Sequence, residues 1–272
     1  MADTPPYQND ALRYVAVEVR FPLVDDSDPQ HWTRFREAVH EDLPVAQEEQ
    51  QLNVTVGPTG PSAQQLTRQR LSARDRISSA VLGRDVLVLE TTEYPGWTEF
   101  QERFARLLTS LEEVRRPDGV LRIGLRFIDE IRVPGVQKIA DWRGWVSDAL
   151  VAPFILDELE PSAATVALQY GAAPGLVTTF RAAPFASGRT VQEDGPLRLP
   201  FDTPEGAYFL LDTDASWTDP HAQVPEFDVA SIVAILTELH EPCHRLFEAA
   251  ITDRLRDDVL RRPREEVWAS NG

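Results

Sequence analysis

The sequence predicts an α+β protein, a mainly antiparallel sheet packed against long amphipathic helices, and three stretches carry that prediction. Tyr14 to Phe21 alternates, with Val15, Val17, Val19 and Phe21 on one side and Tyr14, Ala16, Glu18 and Arg20 on the other, the period of a half-buried strand. Trp97, Phe100, Phe104, Leu107, Leu108 and Leu111 fall on one stripe of a helix that must end before Pro117 and Gly119. Gly119 to Val133 alternates again. Leu121, Ile123, Leu125, Phe127, Ile131 and Val133 oppose Arg122, Arg126, Glu130 and Arg132, and the length of the run suits a central strand.

The remaining elements follow from local signals. Ser27 or Asp28 is expected to cap a helix opened by Pro29, with Trp32, Phe35 and Val39 at helical spacing and Pro44 as its stop. A strand at Leu52–Val56 precedes a loop, Gly57-Pro-Thr-Gly-Pro-Ser62, and short strands near Arg68–Arg74, Ile77–Leu82 and Asp85–Thr91 read as a meander. Beyond Gly135 come a short tryptophan-bearing helix near Asp141–Val151, broken at Pro153, and strands Ala163–Gly171 and Leu176–Ala183. Ala173-Pro174-Gly175 between those strands suits a type II turn. After a loop at Phe185–Glu205 and a strand at Ala207–Asp212, Asp228 caps a long helix from Val229 to near Leu260, interrupted at Pro242. Strands followed by a long helix, twice over, suggest two similar α+β halves, 1–134 and 135–272, sharing one core.

Composition narrows the function. An apolar share of 42% in 272 residues supports a core without staples. The net charge of −17 repels phosphate backbones and anionic lipid, so neither nucleic acid nor a membrane is an expected partner of this acidic protein. Cys243 is the single cysteine, which excludes an intrachain disulfide and points to a reducing compartment. The opening Met1 to Asp10 is acidic and proline-bearing where a secretory signal is basic and then apolar, so a cytoplasmic location is expected. Pro161 to Phe180 is uncharged and long enough to span a bilayer, yet Gly171, Pro174 and Gly175 make it a hairpin instead.

His240-Glu241-Pro242-Cys243-His244 has the spacing of a zinc protease, which needs both imidazoles on one unbroken helix face and a third ligand. Pro242 interrupts the motif and no third ligand follows, so no metal and no cofactor are expected. The histidines then flank an apolar seam of Ile232, Leu236, Leu239, Cys243, Leu246 and Ala250. The arginine-bearing side of the Gly119–Val133 strand could instead line a groove for an anionic ligand, with Gly124 permitting close backbone approach. Asp129 breaks the alternation: either a bulge displaces it, or it is buried and paired with an arginine. Glu18, Arg20, Arg122, Arg126 and Glu130 alternate on two strands that could pair, as in triphosphate-tunnel enzymes. That resemblance is thin, because Ala16, Glu18 and Arg20 replace the two glutamates and lysine with which such enzymes open. Asp212-Thr-Asp214 resembles the metal-holding acid pair of nucleotide-sugar transferases but is expected to be ordinary turn residues. Arg68, Arg70, Arg74 and Arg76 are expected to form surface ion pairs.

Val17-Glu-Val-Arg-Phe21, Tyr94-Pro-Gly-Trp97-Thr-Glu-Phe100, Arg122-Ile-Gly-Leu-Arg-Phe-Ile-Asp-Glu-Ile131, Leu239-His240, Leu246-Phe247 and Ile251-Thr252 together resemble a sporadically distributed bacterial protein family of about this length. No activity is assigned to that family. The resemblance implies a self-contained cytoplasmic protein and carries no catalytic residues. The resulting expectation is a non-enzymatic binding or accessory protein that engages a protein partner or a second copy of itself. Its surface would include Arg20, Arg122, Arg126, Asp129, Glu130 and His240. The alternative is a small-molecule or metal-dependent enzyme with its site near Arg126, Asp212 and His240.

Overall fold

The computed structural model describes residues 7–24, 29–57, 60–151 and 161–269, with the backbone alone for 29 and 51–66. β1 (Leu12–Arg20) buries Val15, Val17 and Val19 on one face, as its alternation predicts. α1 (Pro29–Val39) drives Phe35 and Val39 into the core, while its expected caps, Ser27 and Asp28, lie outside the described residues. A meander follows: β2 (Val45–Gly57), β3 (Gly60–Ser72), β4 (Ser78–Leu82) and β5 (Val86–Thr91). It returns inward to pair β5 with β1 and leads into α2 (Trp97–Arg115), which buries Phe100, Phe104, Leu107, Leu108 and Leu111. β6 (Arg122–Ile131) takes the other side of β1. A second meander, β7 (Val166–Ala173), β8 (Leu176–Phe185) and β9 (Tyr208–Trp217), returns to pair β9 with β6 and leads into α3 (Val229–Ala250).

The result is one antiparallel sheet of nine strands, ordered β2-β3-β4-β5-β1-β6-β9-β8-β7. The helices pack on one of its faces. Val15, Val17, Phe35, Phe104, Leu108 and Leu236 belong to one buried cluster there. Ile131, Trp142, Phe180, Phe209, Leu211 and Leu255 form a second beneath the C-terminal end of α3. The hairpin between β7 and β8 turns at Pro174 and Gly175, whose φ of +81° suits glycine. A Cβ on Gly175 would also lie 2.2 Å from the Thr218 carbonyl oxygen, so no side chain fits.

Several elements depart from expectation for identifiable reasons. β2 begins at Val45, not Leu52, because Gln47 to Gln51 is polar throughout and shows no apolar alternation; its ladder to β3 holds it in place. The supposed loop at 57–62 is strand-paired on both sides, with Val56 opposite Pro61 and Gly57 opposite Gly60; Pro58 and Thr59 lie outside the described residues. The tryptophan-bearing helix is two 3₁₀ turns, Ile139–Trp142 and Asp148–Leu150, separated by Gly144 at φ +77°; Pro153 lies outside the described residues. β9 runs on to Trp217, which places Asp212 and Asp214 within a strand instead of a turn. α3 passes unbroken through Pro242 and stops at Ala250. The carbonyl that proline leaves without a donor belongs to Glu238, an exposed residue that water reaches, while the seam of Ile232, Leu236, Leu239 and Cys243 stays pressed on the sheet. Asp228 caps α3 as its position implied, accepting from the Ser231 amide at 2.7 Å.

Asp129 settles the question raised by its place in the alternation. The register of β6 with β9 is continuous there, Ile128 opposite Asp212 and Asp129 opposite Leu211, and the irregularity lies in β1 between Leu12 and Tyr14. β6 therefore has no bulge, and Asp129 stays buried on the helix-covered face with no salt bridge among the described residues. Burial pushes its carboxyl well above the usual value of 3.8, the nearby Asp10 adds to that, and Arg13 opposes it. A raised folded pKa means that its favourable contribution is complete below the unfolded value and is lost as pH rises through the folded one. Asp129→Asn is therefore expected to stabilise the protein little at about pH 4 and by about 1–3 kcal/mol at about pH 8. Urea unfolding at both pH values checks this; a difference independent of pH would contradict it.

Candidate groove on the open sheet face

Side chains that alternate away from the helices share the other face. Register places them in rows across the sheet. One row runs Arg70, Val81, Val88, Glu18, Gly124 and Ser216; the next runs Ser79, Glu90, Ala16, Arg126, Asp214 and Thr179. They enclose a groove of about 810 Å³ with Ala16, Val81, Val88 and Gly124 in its lining, and with arginines and acids beside them. Arg20, Arg122 and Arg126 come together here, on the strands β1 and β6, which pair.

The charges are tightly engaged. Arg20 donates from Nε and Nη2 to the two oxygens of Glu18 at 2.9 and 3.0 Å, and Arg122 Nη1 donates to the same carboxylate at 2.7 Å. Arg126 holds Asp212 with two bonds of 2.8 and 2.9 Å, and Arg181 reaches that carboxylate at 3.3 Å. Arg122 Nη2 lies 3.6 Å from Asp214. Toward β2, Arg70 binds Glu49, Ser79 and Glu90, while the Tyr14 hydroxyl donates to Glu90 at 2.7 Å. Burial, with Glu90 beside it, raises the Tyr14 hydroxyl pKa far above the ordinary phenol value. The hydrogen bonds to Asp212 raise that of Arg126, and burial raises that of Asp214 against the pull of Arg122 and Arg126.

Gly124 has a local role. A Cβ there would stand 2.6 Å from Arg122 Nη1, so the missing side chain is what lets that guanidinium lie flat over the strand. The close approach that this glycine permits is made by a neighbouring arginine.

The other expected site residues separate from this group. Glu130 shares the face but is sealed at one end of it, accepting from Arg132 Nε at 2.8 Å and from the Thr190 amide at 2.8 Å. Residues 186–207 pass over it, with Arg132 also bonding the Gly188 and Gly206 carbonyls. Asp129 points to the helix side. So does His240, whose ring stacks on Trp97 at 4.1 Å between centroids and lies 5.9 Å from Phe127. Of the alternative enzyme's residues, Arg126 and Asp212 therefore meet, and His240 lies across the sheet from them. Asp212 and Asp214 do not stand as a free acid pair: guanidiniums hold both. Cys243 is buried with its thiol directed to the Leu239 carbonyl at 3.3 Å, and burial pushes its pKa up. A phosphate tunnel needs a closed barrel, whereas β2 and β7 end this sheet with no further strand paired to either among the described residues.

Sequence reasoning did not place Tyr14, Glu49, Arg68, Arg70 and Glu90 in this groove, nor Arg181 beside it on Asp212. One signal was present: Arg68 and Arg70 alternate around Gln69 and precede the buried Leu71, which puts both arginines on the face away from the core. Fold and site together define an antiparallel α+β protein with a mixed-charge groove on the uncovered side of its sheet. No protein-family model matches the chain, and no curated protein matches it.

Proposed function

We propose that the protein is a non-enzymatic cytoplasmic binding or accessory protein that engages another protein through the arginine-lined sheet face. The layering of charge carries this reading. Arg126 and Arg181 are 44% and 50% exposed, whereas the carboxylate they share, Asp212, is 8% exposed. Glu18 likewise lies deeper than Arg20 and Arg122, so around these two acids guanidiniums face outward and a chain of net charge −17 offers cationic donors there, whereas toward β2 the order reverses and Arg70 lies beneath Glu49. That pattern suits an acidic surface. It also gives no free carboxylate for general-base work, since Glu18, Glu49, Glu90, Asp212 and Asp214 all pair with arginine. No helix among the described residues is long and apolar enough to cross a membrane. The mirrored routing of the two meanders supports the companion reading of two similar α+β units that meet at β1 and β6 and share a core.

Affinity capture from the native host with mass spectrometry is the test. Arg126→Glu is expected to weaken partner recovery by about tenfold or more, the scale of losing a desolvated charge pair. Arg103→Glu on α2 should leave recovery unchanged, and circular dichroism should show both variants folded. Equal recovery with Arg126→Glu, or turnover of a substrate by the isolated protein, would overturn the proposal.

A further inference from the structure

We infer that the groove receives one carboxylate carried on a compact apolar body, and that Arg68 is the residue that pairs with it. This rests on reading the open face as a binding surface and names the chemistry of what it takes.

Arg68 is the exception among the groove's arginines. Arg20, Arg70, Arg122 and Arg126 each hold a carboxylate. Arg68 makes no hydrogen bond or ion pair among the described residues, and its Nε is buried without a partner. Its cross-strand neighbour Glu49, the obvious mate, is bound by Arg70 instead. A guanidinium without a carboxylate is costly at a partly buried position, and an anion in the groove that Arg68 lines would supply one.

The pairing of charge sets the valence. Arg20 and Arg122 are matched by Glu18, Asp85 and Asp214, Arg70 by Glu49 and Glu90, and Arg126 by Asp212, which leaves the single charge of Arg68 without a carboxylate among the described residues. A monoanion balances it. A phosphate dianion would overshoot and face the carboxylates of Glu18, Glu49, Glu90 and Asp214 at close range. Ala16, Val81 and Val88 form a floor without polar side chains beside the Arg122 guanidinium, which matches an apolar body below the charged group. A volume of about 810 Å³ is ample for a short chain or a small ring. Such a carboxylate could belong to a free organic acid or to the C-terminus of a protein partner.

Titration of the full chain with three probes, followed by calorimetry and by protein NMR shifts, tests the inference and separates the two sources. The probes are hexanoate, the peptide acetyl-Ala-Ala-Leu with a free carboxylate, and hexyl phosphate. Saturable binding of hexanoate or of the peptide, with no binding of hexanamide or the peptide amide, is the expected result. Binding of hexanoate assigns a free acid; binding of the peptide alone assigns a protein terminus. Arg68→Gln should reduce the affinity by about tenfold or more, and Arg68→Lys should restore part of it. Gly124→Ala, which changes no charge, should also weaken binding by displacing the Arg122 guanidinium over the floor. Neither carboxylate binding, binding indifferent to Arg68→Gln, or tighter binding of hexyl phosphate would each overturn the inference. If the probes fail while Arg126→Glu still strips the protein partner, this inference alone falls. If they bind while Arg126→Glu leaves recovery intact, the proposed partner function falls and the carboxylate site stands.

Discussion

Glu130→Ala is expected to destabilise the protein by about 3–5 kcal/mol, because it breaks a buried ion pair from one side only. The Glu130 side chain is 0% exposed and that of Arg132 is 3% exposed. Removing the acid strands the Arg132 guanidinium, and it also withdraws the nearby negative charge that Arg13 feels in its own buried position. Burial already lowers the Arg13 pKa to about 10 against the field of Glu130. The Thr190 amide and hydroxyl, which donate to Glu130 at 2.8 and 3.0 Å, lose their acceptor as well. Urea unfolding should show the loss, and limited proteolysis should cut residues 186–207 faster than in the parent protein. Glu130→Gln keeps an oxygen for Thr190 and should lose less. A change below about 1 kcal/mol for Glu130→Ala would mean that water replaces the carboxylate and that the pair is not structural.

The second large effect concerns Trp142. It is 1% exposed and meets Phe209 edge-to-face at 5.3 Å between centroids, in the cluster beneath the end of α3. Trp142→Ala should cost about 3–5 kcal/mol through lost burial and the cavity left behind. The same variant tests whether the two clusters unfold together. α3 buries Leu236 and Leu239 in one cluster and Ala250 in the other, so a defect beneath its end should lower the stability of the whole molecule. The Trp97–His240 stack lies on α2 and α3, near the first cluster, and serves as a reporter. A single transition shifted to lower denaturant in both the assigned Trp97 resonance of fluorotryptophan-labelled protein and circular dichroism is the expected outcome. Early loss of ellipticity while the Trp97 signal holds would show that the two regions unfold separately.

Elements with one apolar and one polar side were legible from the amino acids alone. Val15, Val17 and Val19 on β1, the Phe100 to Leu111 stripe of α2, and the α3 seam each announce their face because burial selects one side of a regular period. β2 was half legible: its edge position leaves Gln47 to Gln50 without a buried side, and only pairing with β3 reveals it. The alternation of β6 is plain in the sequence, but the fate of Asp129 depends on Leu211 and α3, which lie far along the chain. The groove divides in the same way. Arg20 and Arg122 could be joined because β1 and β6 resemble each other as patterns, whereas Arg70 reaches Glu90 only through the order β3-β4-β5, which no local period encodes. His240 was drawn toward the site by its motif, and the structure shows the ring serving as a packing surface for Trp97.

The central placement of β6 has a consequence for how the chain must acquire its shape during synthesis. β1, β5 and β6 can associate once residue 131 has emerged, yet one flank of β6 waits for β9, at residues 208–217, before its amides find acceptors. A nascent polypeptide halted in that interval presents an unsatisfied edge at what will become the middle of the mature sheet, carrying Ile123, Leu125 and Phe127 on its greasy side. Non-local closure of that kind is slow and adhesive, so the ribosome-bound intermediate, more than the finished protein, is where aggregation threatens.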